Sequence, residues 1–427
     1  MPEIQSFRDV DFTEIHPADA TGRSIGYTVL RNVSATGKDI FYPNVLFQEM
    51  KDSILVSPYD EKIMSLRRSS FYDDNRYEPV PEKNPKQIIP YPVFFFVYNT
   101  ENYYHFLYDT LPILYTYFWL KARFPELRLL VQFPNKYKKE HFRFNTELLE
   151  LCGIGREETV VCSSDHMYET VFISTSLTHG GFSNEPPRPE FRIIYDKIKE
   201  NAKRRKVRPE YRDLSRVYVS RRTWIHNDWS NIGTNYTTKR KMMNEDELIE
   251  ALEKIGFTEI FTEQMETHEK IHVFSRASIV CGSIGGGMAN LVFCRPETTA
   301  VVIVSPFFLE INQRFRYCLE SVVAEVIYSH DTRVHAERDV LPMHCRVRIV
   351  TGGSKDKIGE IKSHDSGRYL IRVSDNDVAG FAHDREFREV WFFPEDFDLL
   401  DHGLNAPYTL DIRNYITTVK YLLVNRK

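Results

Sequence analysis

The chain has few of the features that would place it in a specialised class. Its six cysteines, at positions 152, 162, 281, 294, 318 and 345 of 427 residues, contain no CxxC pair. That excludes a disulfide scaffold or a zinc ribbon and predicts reduced, buried thiols. Long apolar runs are missing too: the longest, near Pro92 to Val97 and Ala300 to Phe308, are too short to cross a bilayer. The N-terminal stretch MPEIQSFRDVDFTEIHPADATG is polar and acidic with no apolar h-region, so no signal peptide and a cytoplasmic location are expected. Neither charge sign is in surplus, since 56 Lys and Arg face 60 Asp and Glu. A net charge of -4 gives no basic field for nucleic acid. Charged residues at 27% and hydrophobic ones at 42% are ordinary for a globular protein, and the length allows two or three domains.

The informative stretch runs from Ser215 to Val304. RVYVSRR reads as a strand that ends at Arg221 and Arg222, which puts two guanidinium groups at the carboxyl edge of a parallel sheet, where open α/β folds bind ligands. Asn244 is the expected N-cap of a helix, with Glu247 as capping-box partner, Leu248, Leu252 and Ile255 at helical spacing, and Gly256 as its stop. Ser278 to Cys281 reads as a buried strand. It leads through Gly282, Gly285, Gly286 and Gly287 to a helix expected from near Met288. Glycines let a backbone approach phosphate closely, and helix-start N–H groups attract negative charge. This is the pattern of the Rossmann-like half that holds a nucleotide diphosphate. The spacing lacks GxGxxG, which argues against a nicotinamide dinucleotide. Lys241 adds a third cation, Asn290 lies one turn into the glycine-led helix, and Glu310 beyond the next strand end is placed to accept from ribose hydroxyls.

Upstream, NYYHFLYDTLPILY puts His105 and Asp109 four apart, on one helix face. Two uses fit this spacing. Asp109 takes a hydroxyl proton directly, or it orients His105, which titrates near neutrality and takes the proton instead. A purely structural pair fits it as well.

These motifs, in this order, resemble glycosyltransferase family 61: an H-x-x-x-D segment, YVSRR, NEDELI, then VCGSIGGGMANLVF. One departure is visible. Many family members carry a G-x-H-G-A-G loop, and this chain has Ile284 and Gly286 at the His and Ala places. The resemblance implies an α/β fold of two Rossmann-like domains of the glycosyltransferase-B type and an inverting, metal-independent transfer. The sugar implied is xylose, GlcNAc or arabinose, moved from a UDP-sugar to a glycan hydroxyl with no cofactor. It also implies a surface-glycan role in a bacterium or virus, catalytic roles for Asp109 and His105, and donor contacts from Arg221, Arg222, Lys241, Asn244, Gly285 to Gly287, Asn290 and Glu310.

The expected organisation is an acceptor-side domain over 1–185, a linker over 186–211 and a nucleotide-sugar domain over 212–335. A small β-barrel over 340–400 and a tail helix over 401–427 follow. The barrel is expected from apolar-polar alternation between glycine turns, and its first part resembles the KOW motif of SH3-like barrels. Two DxD strings, at Asp375 to Asp377 and Asp396 to Asp398, lie in the barrel, away from any Rossmann strand end, and are not read as a metal site. Two other readings stay open: a non-catalytic binding protein whose barrel recognises RNA or protein, and an NAD-containing nucleotide-sugar epimerase.

Overall fold

A computed structural model describes residues 4–6, 12–36, 45–49, 52–57, 62–65, 86–96, 103–131, 142–163, 165–178, 186–222, 242–304, 315–319, 323–327, 346–374, 387–399 and 408–425. It is a mixed α/β chain that divides into two compact units, Met1–Lys206 and Val207–Lys427. No helix among the described residues is long and apolar enough to cross a membrane.

The first unit is built on one mixed sheet. Its antiparallel part is β1 (Ile4–Ser6), β2 (Thr13–His16), β3 (Ile25–Thr36), β4 (Val45–Glu49), β5 (Asp52–Ser57) and β6 (Lys62–Ser65). Its parallel part is β7 (Gln87–Ile89), β8 (Val93–Phe95), β9 (Arg128–Val131), β10 (Thr159–Val161) and β11 (His166–Ser174). The order is β1-β6-β5-β4-β3-β11-β8-β9-β10, with β2 on β3 and β7 on β11. β3 joins the two parts by pairing antiparallel with β11 over Met167 to Ser174. Leu30, Val33, Val93, Phe95, Leu130, Tyr168 and Val171 form the core of this junction.

The helix Phe191–Ala202 buries Phe191, Ile194, Tyr195, Ile198 and Ala202, one apolar stripe at helical spacing. That face packs against the helices Arg143–Leu151 and Leu114–Lys121 of the first unit. Arg188, 4% exposed, anchors its entry. The guanidinium donates to Pro17 and Arg23 carbonyls and pairs with both oxygens of Glu190.

The second unit contains a parallel sheet of β12 (Arg216–Val219), β13 (Thr258–Ile260), β14 (Ile279–Ser283), β15 (Thr299–Val304) and β16 (Val323–Ile327), in the order β13-β12-β14-β15-β16. In chain sequence that order is 2-1-3-4-5, so the chain reverses its winding direction between β12 and β14. Open α/β sheets bind ligands at the strands' carboxyl ends beside such a reversal. Cys281, Val301, Ile303, Leu248 and Leu252 pack with Tyr415 and Val419 of the helix Ile412–Val424, so the tail helix is part of this core. Gly256, at φ +82°, ends the helix Glu245–Glu253. Its N–H bonds Glu253, and the Phe257 N–H bonds Leu252, both across the left-handed turn.

A separate five-stranded antiparallel sheet follows: β17 (Arg346–Ile349), β18 (Ile358–Asp365), β19 (Arg368–Ser374), β20 (Phe387–Phe392) and β21 (Phe397–Leu399), ordered β20-β19-β18-β17-β21. Val347, Ile349, Ile361, Ile371 and Val373 form its own core. Asp396 accepts from the Thr351 hydroxyl at 2.6 Å and the Phe393 N–H at 3.0 Å, which is capping of a turn. The other DxD string, Asp375 to Asp377, lies outside the described residues.

Within the second unit, Glu269 ties the segment before β12 to the helix Thr267–Arg276. It accepts from the Arg208 side chain at 2.6 and 2.8 Å, from the Arg208 N–H and from the Glu266 N–H. These donors outweigh the cost of burial and hold its carboxyl down to about 2, against an ordinary 4.5. A depressed carboxylate contributes its stability above the ordinary value and loses it as pH falls through the folded one. Glu269→Gln is therefore expected to cost about 1–3 kcal/mol at neutral pH. In urea titrations the gap from the parent should close between pH 4.5 and 2.

Candidate active site

The second unit brings its charged groups to the carboxyl edge of the parallel sheet, at the winding reversal. β12 stops at Val219, and the next residues diverge. Arg221, 8% exposed, turns toward the glycine loop after β14, where its Nη1 donates to the Ile284 carbonyl at 3.0 Å. Arg222 turns the other way. Its Nε and Nη2 grip both oxygens of Glu259 at 2.7 and 2.6 Å, and Nη1 reaches Asp246 at 2.6 Å. These partners raise the Arg222 pKa further and neutralise its charge locally. Expected together at a diphosphate, the two arginines are thus separated by the structure: one lies on the loop and the other is held in a carboxylate fork.

The loop geometry depends on missing side chains. A Cβ at Gly285 would sit 2.2 Å from Arg221 Nη1, so only glycine lets the guanidinium lie on the backbone there. At Gly287 a Cβ would meet Val219 Cγ1 at 2.7 Å and Thr262 Oγ1 at 3.1 Å. Gly286, by contrast, is exposed with open space around it. The following turn is a 3-10 helix over Gly286–Phe293, where a helix from near Met288 was expected. It has no acidic residue in its first turn, whereas the helix Glu245–Glu253 begins with Glu245, Asp246 and Glu247. Of these two starts at the same sheet edge, only the glycine one suits an anion.

Two other expected donor residues are used internally. Asn244 occupies the N-cap position, but its side chain does not cap. Its amide exchanges two hydrogen bonds with the Leu410 backbone, at 2.9 and 3.0 Å, because that buried strand-like segment beside Met242 needs partners. Asn290, fully buried, donates to the Gly287 carbonyl at 2.9 Å and so braces the loop from behind. Lys241 and Glu310 lie outside the described residues.

Sequence reasoning missed the carboxylates beneath this edge. Glu245 is 2% exposed, and its Oε1 accepts from the Arg221 N–H at 2.9 Å and the Tyr218 hydroxyl at 2.8 Å. Burial raises its pKa despite these donors and the charge of Arg221. Burial likewise pushes Glu263, in the turn after β13, up to about 7 against the pull of Lys270 and Arg221. An acidic residue opening a helix looks like an exposed dipole partner in sequence. Only Tyr218, one place before the strand's end and buried, signals otherwise.

In the first unit, His105 Nδ1 and Asp109 Oδ2 are 2.6 Å apart. The histidine side chain is 32% exposed and the aspartate 0%, so the imidazole faces outward with the carboxylate behind it. The segment between them is a π-turn, Phe106–Thr110, closed by the Leu111 N–H on the Phe106 carbonyl. Pro112 explains it: with no N–H to give, it leaves carbonyls one turn back without their backbone donor. The Tyr195 hydroxyl donates to Leu107 O, and the Thr178 hydroxyl donates to Tyr108 O. Tyr104 and Tyr108 stack at 4.9 Å beside the histidine. π-turns of this kind are a usual way to re-aim a side chain at a functional site.

Two substitutions test these arrangements. Tyr195→Phe removes the donor of a buried carbonyl, and a loss of about 1–3 kcal/mol in unfolding free energy is expected. Gly285→Ala should leave the far-ultraviolet spectrum unchanged while lowering the unfolding free energy by about 1–3 kcal/mol in urea titrations, because the new methyl group displaces Arg221 from the Ile284 carbonyl.

No curated protein shows a significant match to the chain. Residues 103–302 match the family model of glycosyltransferase 61, a span that begins at the helical turn carrying His105 and Asp109 and ends in β15, beyond Arg221 and the glycine loop.

Proposed function

We propose that the protein is an inverting glycosyltransferase that moves a sugar from a UDP-sugar to a glycan hydroxyl without a metal ion. The match to glycosyltransferase 61 supports sugar transfer. The observation that carries the donor assignment is the seat of Arg221 on the glycine loop, at the edge where a 2-1-3-4-5 sheet binds ligands. In this reading the two α/β units are the lobes of a glycosyltransferase-B enzyme, and the antiparallel sheet 346–399 is a small appended barrel.

The chemistry divides between the units. Departure of the sugar leaves a nucleoside diphosphate whose growing negative charge is met by the Arg221 guanidinium and by the N–H groups that open the turn at Gly286. With Arg222 bound to Glu259 and Asp246, it acts on this edge through its framework, and Arg221 makes the direct contact. The acceptor hydroxyl gives up its proton as its oxygen attacks the anomeric carbon. The exposure pattern favours His105 Nε2 as the group that receives it, with Asp109 holding the Nδ1 proton and stabilising the imidazolium. Attack from the side opposite the diphosphate inverts the anomeric centre. Xylose, GlcNAc and arabinose are the sugars proposed. Ile284, buried where many family members carry histidine, removes one polar contact from the donor side and is where donor preference would differ.

The test is donor turnover with EDTA present, screening UDP-xylose, UDP-GlcNAc and UDP-arabinose against glycan acceptors. His105→Ala and Asp109→Asn should each lower kcat by about 10²–10⁴ with donor affinity kept, the range expected for losing a general base. Binding of a UDP-sugar with no turnover for any acceptor would favour the non-catalytic reading. Failure to bind any nucleotide sugar would overturn the proposal.

A further inference from the structure

The buried carboxyl of Glu245 carries a second role at this edge, and the inference rests on the donor reading above. Its two oxygens are treated unequally. Oε1 accepts from the Arg221 N–H, the Tyr218 hydroxyl and, at 3.4 Å, the Ser220 hydroxyl. Oε2 is buried and has no hydrogen-bond partner among the described residues. A carboxylate oxygen removed from water without a donor is costly. The nearby positive charge of Arg221 offsets that cost.

An anion docking on Arg221 removes the offset. The guanidinium is then shared with a diphosphate, and a further negative charge arrives beside a carboxylate that already faces Glu259 and Glu263. Like charges in a poorly solvated pocket favour the neutral form of one of them. Glu259 is held by the bidentate Arg222 fork and keeps its charge. Glu263 also has a buried oxygen, Oε1, with no hydrogen-bond partner among the described residues, but it faces Lys270 of the helix Thr267–Arg276 as well as Arg221, so it is the competing site that the test must separate. Besides Arg221, the described groups acting on Glu245 are the Tyr218 and Ser220 hydroxyls, Glu259 and Glu263.

We propose that Glu245 is a positioning residue of the donor site: its Oε1 fixes the main chain of Arg221 against the glycine loop, and its Oε2 is where a proton is taken up when the donor diphosphate binds. The proton comes from solvent and returns to it when the nucleotide leaves, so the cycle balances without another reactant. The consequence for substrate is a preference for a fully ionised diphosphate diester, whose charge drives the uptake.

Calorimetry of UDP-GlcNAc binding to the whole protein at neutral pH, in PIPES and in imidazole buffer, tests this. The diester does not titrate near neutrality, so any difference in binding enthalpy between the buffers reports protons taken up by the protein. The expected result is net uptake, with affinity falling up to tenfold per pH unit above neutrality, the limit for one linked proton. Glu245→Gln keeps an oxygen for the Arg221 N–H but cannot titrate, and should bind with equal enthalpy in both buffers. Glu263→Gln should retain the difference. Equal enthalpies in the parent protein would overturn the proposal, as would uptake that persists in Glu245→Gln or vanishes in Glu263→Gln. If Glu245→Gln does not fold, the parent and Glu263→Gln decide the matter by themselves. Absence of binding by UDP-GlcNAc, UDP and the other UDP-sugars alike would instead remove the donor reading on which all this stands.

Discussion

The contact of the Arg221 guanidinium with the backbone at Ile284 and Gly285 is the constraint around which the second unit's functional edge is arranged. A guanidinium can lie on a main chain only where no Cβ intervenes, so Gly285 is required by its neighbour as much as by any ligand. The contact also needs the arginine backbone fixed, and the buried Glu245 carboxylate does this from the first turn of the next helix. Gly287 then brings the loop within reach of Val219 and Thr262, so the ends of β12, β13 and β14 form one packed body. Asn290 closes the arrangement from beneath by bonding the Gly287 carbonyl. No single one of these groups is a binding motif. Together they turn three strand ends into a rigid positive seat.

The first unit solves a comparable problem with a different device. His105 must face outward while its partner stays out of water, and an unbroken α-helix would place two residues four apart at equal depth on one face. The proline at 112 and the π-turn before it change that, and the displaced carbonyls are satisfied by hydroxyls from outside the helix, Tyr195 and Thr178. In both units a charged side chain is aimed by buried polar groups that bond the backbone.

The periodic parts of this architecture could be read from sequence. RVYV, SIVCG and TAVVIV alternate or run apolar over strand length, and their burial in a parallel sheet follows from composition. Gly256 as a helix stop and the one-face placement of His105 and Asp109 were equally legible, since both depend on local spacing. What could not be read depends on partners distant in the chain. Asn244 carries every local sign of a cap, yet a segment 166 residues away supplies stronger demands on its amide. Glu245 looks like a surface acid until Tyr218 and the Arg221 backbone surround it. Likewise the antiparallel strands before residue 66 gain their role only through the pairing of β3 with β11, about 140 residues on.

The fate of the adjacent arginines shows why a doublet at a strand end need not act as a doublet. Successive residues along an extended chain point to opposite sides, and this alternation persists through the first positions after a strand stops. The two arginines therefore leave the strand toward opposite faces of the sheet, and each then bends toward the neighbouring strand end that offers it a partner. Here the flanks differ: the β14 side offers a bare glycine backbone, and the β13 side offers Glu259 and the acidic start of a helix. Arg222 is therefore drawn into charge compensation. Without it, Glu245, Asp246, Glu247 and Glu259 would leave the edge negative and repel the same anion that Arg221 is placed to meet. In the donor site proposed above, the second arginine serves by cancelling acid, and its removal is expected to weaken an anion contact that it does not itself make.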